Sequence, residues 1–576
     1  MMINKGNIEL PFLINKILIK FKGVFMTIMQ KTLWLMVSLG NFLAGYFYMH
    51  SQSVFSFIVL IAILFYSIVG IYDVFFSRHS LNRLYPVVAY LRYFLESFRV
   101  EIQQYFIANN TEELPFNREQ RTLVYRRSKN ERDTIAFGTQ RNLLEDNYLS
   151  LWHSLAPIHV KESVKRVIIG GEQCKQPYSA SYLNISAMSF GSLSTNAIEA
   201  LNLGAKKAGC FHNTGEGAAS PYHLKHGGDI VWQLGTGLFG CRDENGRFNP
   251  VDFEKMAMRP QIKMIEIKLS QGAKPGHGGV LPKAKITDEI ALIRNISKDY
   301  DCISPAVNPE CTTPKDLLAF IEKLRDLSGG KPVGFKLCVG NPAEFLSICK
   351  AMLETGITPD FITVDGAEGG TGAAPVEFSN RLGLICLEGV SIVNNALVGV
   401  GLRDKIKIIA SGKTASSFEL LTKIAAGADI VNAARTMMMA IGCIQSRHCN
   451  TNRCPTGIAT QDPARAKAID IDVKSERVKN FHHNTLASFY ELLGSMGLDD
   501  PTKLVPQMIK SRSPYGAQMS MGSLVAPLPL RALIDNVDLD ESWEHWWKGS
   551  SAEQFYVEDL FILKSPEFHH VKSELS

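Results

Sequence analysis

The chain has 576 residues, of which 46 % are hydrophobic and 20 % are charged, as in a globular protein with some membrane character. Its net charge of +5 is small for this length and no recognition motif is present, so nucleic-acid binding is not expected. The eleven cysteines begin at Cys174 and form no paired disulfide framework, which favours a reducing compartment.

The N-terminal region contains a long stretch without charged residues. From Thr32 to Tyr72 there is no Asp, Glu, Lys or Arg. Two apolar segments in it, Leu33–Met49 and Val54–Tyr72, approach the ~20 residues that a membrane-spanning helix needs. We therefore predict a transmembrane helical hairpin within residues 32–76, with a cleaved signal peptide or a buried core hairpin as the alternatives.

The charges on either side of these segments predict their orientation. Lysines in the basic segment 1–31 precede the first apolar segment, and Arg78, Arg83 and Arg92 follow the second. Because positively charged flanks stay in the cytoplasm, a multi-pass membrane protein with two spans and a cytoplasmic barrel is predicted. Tyr85–Phe106 has apolar and charged residues at helical spacing, which predicts a helix at the membrane interface or packed on the following domain.

The rest of the chain alternates short β-rich runs with helical segments. Residues 171–500 are the predicted catalytic domain, between a linker, 77–170, that covers the bottom of the domain and a tail, 501–576. Eight strands with intervening helices predict an α/β fold, a (β/α)8 TIM barrel, with a doubly wound open sheet as the alternative. The gap from Asn213 to Met264 is predicted to hold an insertion. The predicted strands are Leu183–Ala187, Cys210–Asn213, Met264–Lys268, Cys302–Ser304, Val333–Leu337, Phe361–Val364, Ile406–Ala410 and Ile430–Ala433. The predicted helices include Thr195–Ala208, Thr287–Ile296, Pro314–Ser328, Pro342–Glu354, Ala415–Ala426, Ala464–Lys479 and Thr485–Met496.

Polar clusters follow several predicted strands, where barrel enzymes place their active sites. Small residues in Ser186–Gly191 allow close backbone approach to a flat ring. Glu216 lies in a glycine-containing turn after the second strand, where it either faces a substrate or pairs with a cation. Lys274 lies in a glycine-rich loop after the third strand and is suited to an anionic group.

The segment Thr436–Gln461 carries the strongest signal. Cys443, Cys449 and Cys454 have the spacing C-x5-C-x4-C, and Pro455 follows the last cysteine. Thiolates are the soft ligands of iron–sulfur clusters, and Cys-Pro ends such runs. The spacing favours a cluster with three protein ligands over three ordinary buried cysteines, or over zinc, which prefers four ligands.

The run from Gly442 to Pro463 resembles the cluster segment of the glutamate synthases, and the resemblance extends roughly from Arg126 to Pro501. In that family a TIM barrel binds FMN beside a [3Fe-4S] cluster. The resemblance implies that the three cysteines bind such a cluster. It also implies a glutamate synthase-like oxidoreductase acting on CH-NH2 donors, EC class 1.4, which forms L-glutamate from 2-oxoglutarate and ammonia.

The same resemblance assigns roles to single residues. Gln271 and Lys274 would bind 2-oxoglutarate, and Arg294 would clamp its other carboxylate. Lys274, Glu216 and Lys336 would be catalytic. Lys336 ends the fifth predicted strand, where a cation can stabilise negative charge on a reduced flavin. The residues implied to bind FMN are Ser186, Met188, Ser189, Gln271, Lys336, Asp365, Gly369, Gly370, Ser411, Gly412, Lys413, Ala434 and Arg435, the last four around the phosphate.

Some features depart from the family or mislead. Val280 replaces a family glutamine and Pro305–Cys311 replaces a histidine-rich segment, so another small acid, or electron transfer without turnover, is the alternative function. The run Gly235–Gly240 matches G-x-G-x-x-G, but no helix is expected after it, so it does not predict a dinucleotide site.

The resemblance also predicts partners. The chain begins Met-Met-Ile and has no cysteine before Cys174, so we expect no glutaminase nucleophile, and ammonia that is free or supplied by a separate glutaminase. The family's C-terminal β-helix has no obvious counterpart. Electrons are expected from ferredoxin or an NAD(P)H reductase.

Overall fold

The computed structural model describes residues 28–160, 165–513, 518–524 and 527–555. The chain divides into two compact units between Ala108 and Asn109. Most of the predicted basic segment, 1–31, and the end of the predicted tail lie outside the described residues.

The first unit is helical. Its helices are Ile28–Ser51, Val54–Phe75, Ser80–Leu84, Val88–Ser97 and Arg99–Ile102, followed by a π-helical turn, Gln103–Ile107. In the described part of the chain, only Val54–Phe75 is long and apolar enough to cross a membrane, with a mean hydropathy of 2.8. The helix Ile28–Ser51 contacts it, and Asn41 Nδ2 donates a hydrogen bond to Ser67 Oγ at 2.7 Å. Because polar Asn41 and other weakly apolar residues interrupt this helix, the predicted pair of membrane spans is not confirmed.

The second unit contains a closed barrel of eight parallel strands. These strands are β1 (Leu183–Ile185), β2 (His212–Asn213), β3 (Ile230–Leu234), β4 (Ile262–Lys268), β5 (Val333–Cys338), β6 (Phe361–Asp365), β7 (Lys407–Ser411) and β8 (Ile430–Ala433). Each strand pairs with the next in sequence, and β8 pairs with β1, so that Asn432 lies opposite Asn184. The predicted TIM barrel is therefore confirmed and the open doubly wound sheet is excluded.

Helices surround the barrel and begin at the caps that the sequence encodes. Ser194 Oγ accepts from Ala197 N at the start of Thr195–Ala208, and Gly209 ends that helix in a left-handed conformation, with φ of 70°. The helices of this unit are Arg118–Ser128, Thr195–Ala208, Pro221–Leu224, Pro250–Ala257, Asp288–Arg294, Pro314–Leu327, Pro342–Thr355, Val376–Arg381, Cys386–Gly399, Ser417–Ala425, Arg435–Ala440, Pro463–Ala466, Ile471–Ser495, Met521–Leu524, Ala532–Asp535 and Glu541–Gly549, with short 3-10 turns at Gly215–Gly217, Lys283–Lys285, Pro501–Lys503 and Pro506–Met508.

One barrel strand differs from the prediction. β3 lies in the gap that was predicted to hold only an insertion, and its five residues are all buried. Gln233 interrupts its apolar run because its side chain donates to Glu266 in the barrel interior. The prediction of a barrel strand at Cys302–Ser304 was wrong. Cys302–Ile303 pairs antiparallel with Val280–Leu281 in a separate two-stranded sheet. The loop of Lys274 therefore follows β4.

Segments that precede the first barrel strand contact both ends of the barrel. Gly171 N donates to Asp360 Oδ1 (3.0 Å), and Lys175 N donates to Gly330 O (2.8 Å), in the loops that precede β6 and β5. These two residues therefore lie at the amino-terminal end of the strands. The helix Arg118–Ser128 lies at the other end, because Tyr125 Oη donates to the carbonyl of Cys443 in the segment that follows β8.

Three smaller pieces complete the unit. Val167–Ile169 pairs with Tyr178–Ala180, and Leu149–Leu151 joins Ile509–Arg512 and Gln518–Ser520 in an antiparallel sheet. The two predicted C-terminal helices are a short turn, Pro463–Ala466, and one long helix, Ile471–Ser495, which packs along Thr195–Ala208.

Candidate active site

Charged side chains meet at the carboxyl ends of β2 and β4. Glu216 lies in the turn after β2, and its Oε2 is 2.8 Å from Nζ of Lys268, the last residue of β4. Burial alone would raise the pKa of Glu216, but Lys268, with Arg294 and Lys274 also close, holds that pKa below its ordinary value. One carboxylate thus faces three cations, and the excess positive charge suits an anionic ligand.

Glycines allow the backbone to approach this carboxylate. A Cβ on Gly235 would lie 2.5 Å from the Glu216 Cβ, and one on Gly240 would lie 2.7 Å from the Ala218 Cβ. The G-x-G-x-x-G run therefore packs against the Glu216 turn. A helix follows it only at Pro250–Ala257, so the run does not have the strand–turn–helix context of a dinucleotide fingerprint.

Lys274 and Arg294 are both buried near this carboxylate. Lys274 is 1 % exposed and its Nζ donates to Ala373 O at 3.1 Å. Burial lowers the pKa of Lys274 to about 8. Arg294 Nη2 donates to the carbonyl of Phe190, in the loop after β1, at 2.9 Å.

Two donors in this region lack a partner. Gln271 Nε2 and Arg294 Nε are buried and donate no hydrogen bond to another atom in the described part of the chain. Leaving a buried donor unpaired costs about 1–3 kcal/mol, so both groups fit a ligand that presents acceptor oxygens. These unpaired donors, rather than the cations alone, mark where such a ligand would lie.

Lys336 is paired inside the barrel mouth. Its Nζ lies 3.2 Å from Asp365 Oδ2, and the same carboxylate oxygen accepts from Gly272 N at 2.9 Å. Burial opposes the charge on Lys336, but Asp365, Glu266 and Glu216 raise its pKa above the ordinary value. Lys336 therefore stays cationic next to the predicted flavin loops.

Four residues to which sequence reasoning assigned no role complete this interior. Glu266 on β4 accepts hydrogen bonds from Asn213 (2.8 Å) and from Thr363 (2.6 Å) across the barrel. The only sequence signal of Glu266, Asn213 and Thr363 is that each is a polar residue within or at the end of a mostly apolar strand. Lys268, at the end of a β-rich run, carried no motif of its own.

The loop after β1 contacts the ends of β2 and β7 through small or backbone groups. Ser186 Oγ and Ser411 Oγ are 3.2 Å apart. Met188 N donates to Asn213 O at 3.2 Å, and Ser189 Oγ donates to Ser192 Oγ at 3.0 Å. The backbone that was predicted to lie against a flavin ring is thus brought to one place at the barrel mouth.

The loops after β7 and β8 hold two cations. Arg435 follows Ala434, and its Nη2 donates to Glu368 O at 2.6 Å. A Cβ on Gly370 would lie 2.9 Å from Arg435 Cδ, so the loop after β6 depends on glycine here. Lys413 follows Gly412. Burial lowers the pKa of Lys413, and the positive charge of Arg435 lowers that pKa further.

A further donor lies beside these cations. Thr436 Oγ1 is buried and has no hydrogen-bond partner among the described residues. Two cations, a hydroxyl donor and glycine backbone are the groups that bind a phosphate. A Cβ on Gly369, in the same loop as Gly370, would lie 2.9 Å from Gly366 O, so this tight turn leaves no room for a side chain there. The residues present therefore fit the phosphate of FMN.

The three cysteines of the strongest motif lie together. Cys443 and Cys449 pack against the same core as Cys454, and burial, with a smaller effect of the two neighbouring thiolates, raises the pKa of Cys443 to about 12. Burial would raise the pKa of Cys454, but N–H groups of Ala459, Thr456 and Ile458 lower it. In the described residues, no group of three or more His, Cys, Asp or Glu side chains is arranged around a single metal ion.

A buried lysine connects the cysteine segment to the first flavin loop. Lys285 Nζ donates to Ser192 O at 2.5 Å and to Cys449 O at 3.2 Å. Burial lowers the pKa of Lys285 to about 8, against the opposing effect of Cys449 and Cys454. Sequence reasoning did not predict this contact, because Lys285 is in an ordinary polar turn.

Comparison with known proteins identifies the family of the chain. The model of the conserved region in glutamate synthase matches residues 108–499. A glutamate synthase large subunit-like protein of Bacillus subtilis, YerD, is 36 % identical over 509 residues, which cover 81 % of this chain and 96 % of that protein. An archaeal glutamate synthase (NADPH) of Methanocaldococcus jannaschii is 35 % identical over 316 residues, 55 % of this chain and 59 % of that protein. An archaeal-type glutamate synthase (NADPH) of Thermotoga neapolitana is 33 % identical, with 54 % and 59 % covered. The chain therefore belongs to the glutamate synthase family.

Proposed function

We propose that the chain is an FMN- and iron–sulfur-dependent oxidoreductase that forms L-glutamate from 2-oxoglutarate and ammonia. The observation that carries this proposal is the anion site formed by Lys274, Arg294 and Gln271. It combines two buried cations with unpaired buried donors next to the loops that fit a flavin. A dicarboxylate offers acceptor oxygens to all three side chains.

Each residue of this site has a separate task in the proposal. Lys274 and Arg294 bind the two carboxylates, and Gln271 orients the acid by its unpaired amide. Glu216 is ionised and faces the acid, and its ion pair with Lys268 fixes the positions of the cations around it. Lys336 keeps positive charge beside the flavin loops through its pair with Asp365.

The proposed cofactors divide between the two halves of the site. FMN would be held by the loops of Ser186, Ser411 and Gly370, and its phosphate by Lys413 and Arg435. A [3Fe-4S] cluster would be held by the thiolates of Cys443, Cys449 and Cys454. When bound, the cluster supplies single electrons and FMN supplies hydride.

Attachment to a membrane is proposed from the helix Val54–Phe75. Its length and hydropathy suit a span, and the arginines after it favour a cytoplasmic catalytic unit. The names of the archaeal relatives give NADPH as their reductant, so an NAD(P)H reductase or ferredoxin is the proposed electron donor. Ammonia is proposed to come free or from a separate glutaminase.

A different small acid is the second candidate substrate. Val280, which differs from the family residue, lies in the two-stranded sheet that borders the anion site. Cys302, on the second strand of that sheet, lies close enough to Arg294 to affect its pKa, so the sheet borders one side of the site. This acid would also bind Lys274 and Arg294.

A reoxidation experiment tests the proposal. The full chain is purified anaerobically in detergent and its flavin is reduced, after which 2-oxoglutarate is added with ammonium or with glutamine. Flavin absorbance and glutamate are followed. Reoxidation and glutamate with ammonium alone support the proposal. No reoxidation with either nitrogen source contradicts it and favours another acid or simple electron transfer.

The cluster is tested separately by Cys449→Ser. The variant is expected to keep FMN and to lose the cluster's EPR signal, because a hydroxyl is a poor ligand for iron beside two thiolates. An unchanged EPR signal would refute the assignment of the three cysteines.

A further inference from the structure

A buried aromatic ring outside the barrel contacts both cations of the phosphate loops. Phe116 precedes the helix Arg118–Ser128 and is 1 % exposed. Lys413 Nζ lies 5.2 Å from the centre of its ring, and Arg435 Cζ lies 4.9 Å from the same centre. At such distances the face of an aromatic ring attracts a cation. One side chain thus touches the two long cations that follow β7 and β8.

The backbone of Phe116 is fixed by one side chain of the cysteine segment. Phe116 N donates to Gln445 Oε1 at 3.1 Å, and Gln445 Nε2 donates to Phe116 O at 3.0 Å. Gln445 Nε2 also donates to Glu113 Oε1 at 3.0 Å, and Glu113 pairs with buried Arg121 at 2.5 Å. Because Gln445 is two residues beyond Cys443, the cysteine segment sets the place of the ring.

We propose that Phe116 is a positioning residue for the phosphate of FMN, whose ring holds Lys413 and Arg435 so that both face one anion. Two cations on one ring repel each other, and a phosphate dianion between them offsets that repulsion. Arg435 is further restrained by its hydrogen bond to Glu368 O. The inference rests on the proposed function, since FMN is the ligand, and it adds to the site a segment that precedes the barrel.

The proposal predicts a difference between two flavins. Riboflavin lacks the phosphate but has the same ring system, so only FMN depends on Lys413 and Arg435. Phe116→Leu in the full chain is expected to raise the Kd of FMN about tenfold and to change the Kd of riboflavin less than about twofold. Both constants are measured by quenching of flavin fluorescence on titration of the apoprotein.

Matched variants separate positioning from a general effect on folding. Phe345→Leu removes an equally buried ring, 1 % exposed, on the outer helix Pro342–Thr355. It is expected to leave both flavin constants unchanged. Phe116→Met also lacks a ring, but its unbranched side chain adapts to an irregular space, and it replaces the leucine variant if that variant does not fold.

The outcomes distinguish this inference from the proposed function. If the unaltered chain binds no FMN, the proposed function fails and this inference fails with it. If the unaltered chain binds FMN but loss of the Phe116 ring changes both flavin constants equally, or neither, only the positioning role is overturned.

Discussion

The two sides of the barrel mouth stabilise their positive charges by different means. After β2 and β4, Lys268 and Lys274 lie beside the carboxylate of Glu216. After β7 and β8, Lys413 and Arg435 lie on the ring of Phe116. A carboxylate neutralises charge within the fold, whereas a ring only attracts and orients it. The first side should therefore affect folding when its partner is removed, and the second should affect ligand binding.

The largest effect expected from this comparison is on Glu216. Glu216→Gln leaves buried Lys268 without a counter-ion, so the free energy of unfolding should fall by about 3 kcal/mol. The shift is measured as the denaturant midpoint of the purified chain. Glu216→Gln combined with Lys268→Met removes both partners and should recover most of the loss. A single variant as stable as the parent would mean that the pair does not stabilise the fold.

The next largest effect is on binding of the oxo acid. Lys274→Gln should lower kcat/KM for 2-oxoglutarate on the order of a hundredfold, because a charged hydrogen bond contributes about 1.5–3 kcal/mol. Lys331→Gln is the matched control, since Lys331 is also a buried lysine whose pKa burial lowers to about 8. Lys331 lies before β5, at the other end of the barrel, and its substitution should leave kcat/KM unchanged. Equal losses in both variants would contradict the role of Lys274.

The pH dependence gives a smaller and graded effect. Burial lowers the pKa of Lys274 to about 8, so this side chain loses its charge above that pH. The value of kcat/KM for the oxo acid should then fall about tenfold per pH unit above pH 8. The sign for folding is opposite: because the folded pKa lies below the unfolded one, Lys274 contributes rising stability from pH 8 toward about 10.4. Lys274→Arg should remove the fall in kcat/KM, and a profile that still falls would assign the titration to another group.

The smallest effect expected is at Ala218, directly after the Glu216 turn. Ala218 has φ of 74° and ψ of 163°, a conformation in which almost only glycine is found. Ala218→Gly should therefore raise the free energy of unfolding by about 1 kcal/mol. Ala219→Gly, at the neighbouring buried residue, should lower it. The same denaturant midpoints check both, and a destabilised Ala218→Gly would show that the turn is not strained.

The sequence predicted the parts of the fold whose signals are local. Thr195–Ala208 was predicted with its observed ends because its N-cap serine and terminal glycine lie next to the apolar pattern. β3 was not predicted, since Gln233 breaks its apolar run for a partner on another strand. Cys302–Ile303 has a strand-like composition but pairs with Val280–Leu281 outside the barrel, and composition does not show which strand is the partner.

The candidate site divides in the same way. Lys274 and Arg294 were found by resemblance, and the structure brings them to Glu216. Lys268 and Phe116 had no motif, because their importance lies in partners far away along the chain. Their roles depend on distances in space that a single sequence does not contain.

The bond between Phe116 and Gln445 also bears on how the protein is assembled. It joins residues 329 positions apart, so it forms only after nearly the whole barrel has been synthesised. Contacts of such sequence separation are slow to form, since a long loop must close first. We therefore expect the ring of Phe116 to reach its place beside Lys413 and Arg435 late in folding. A segment that is translated early is thus held in place by a residue that is translated much later.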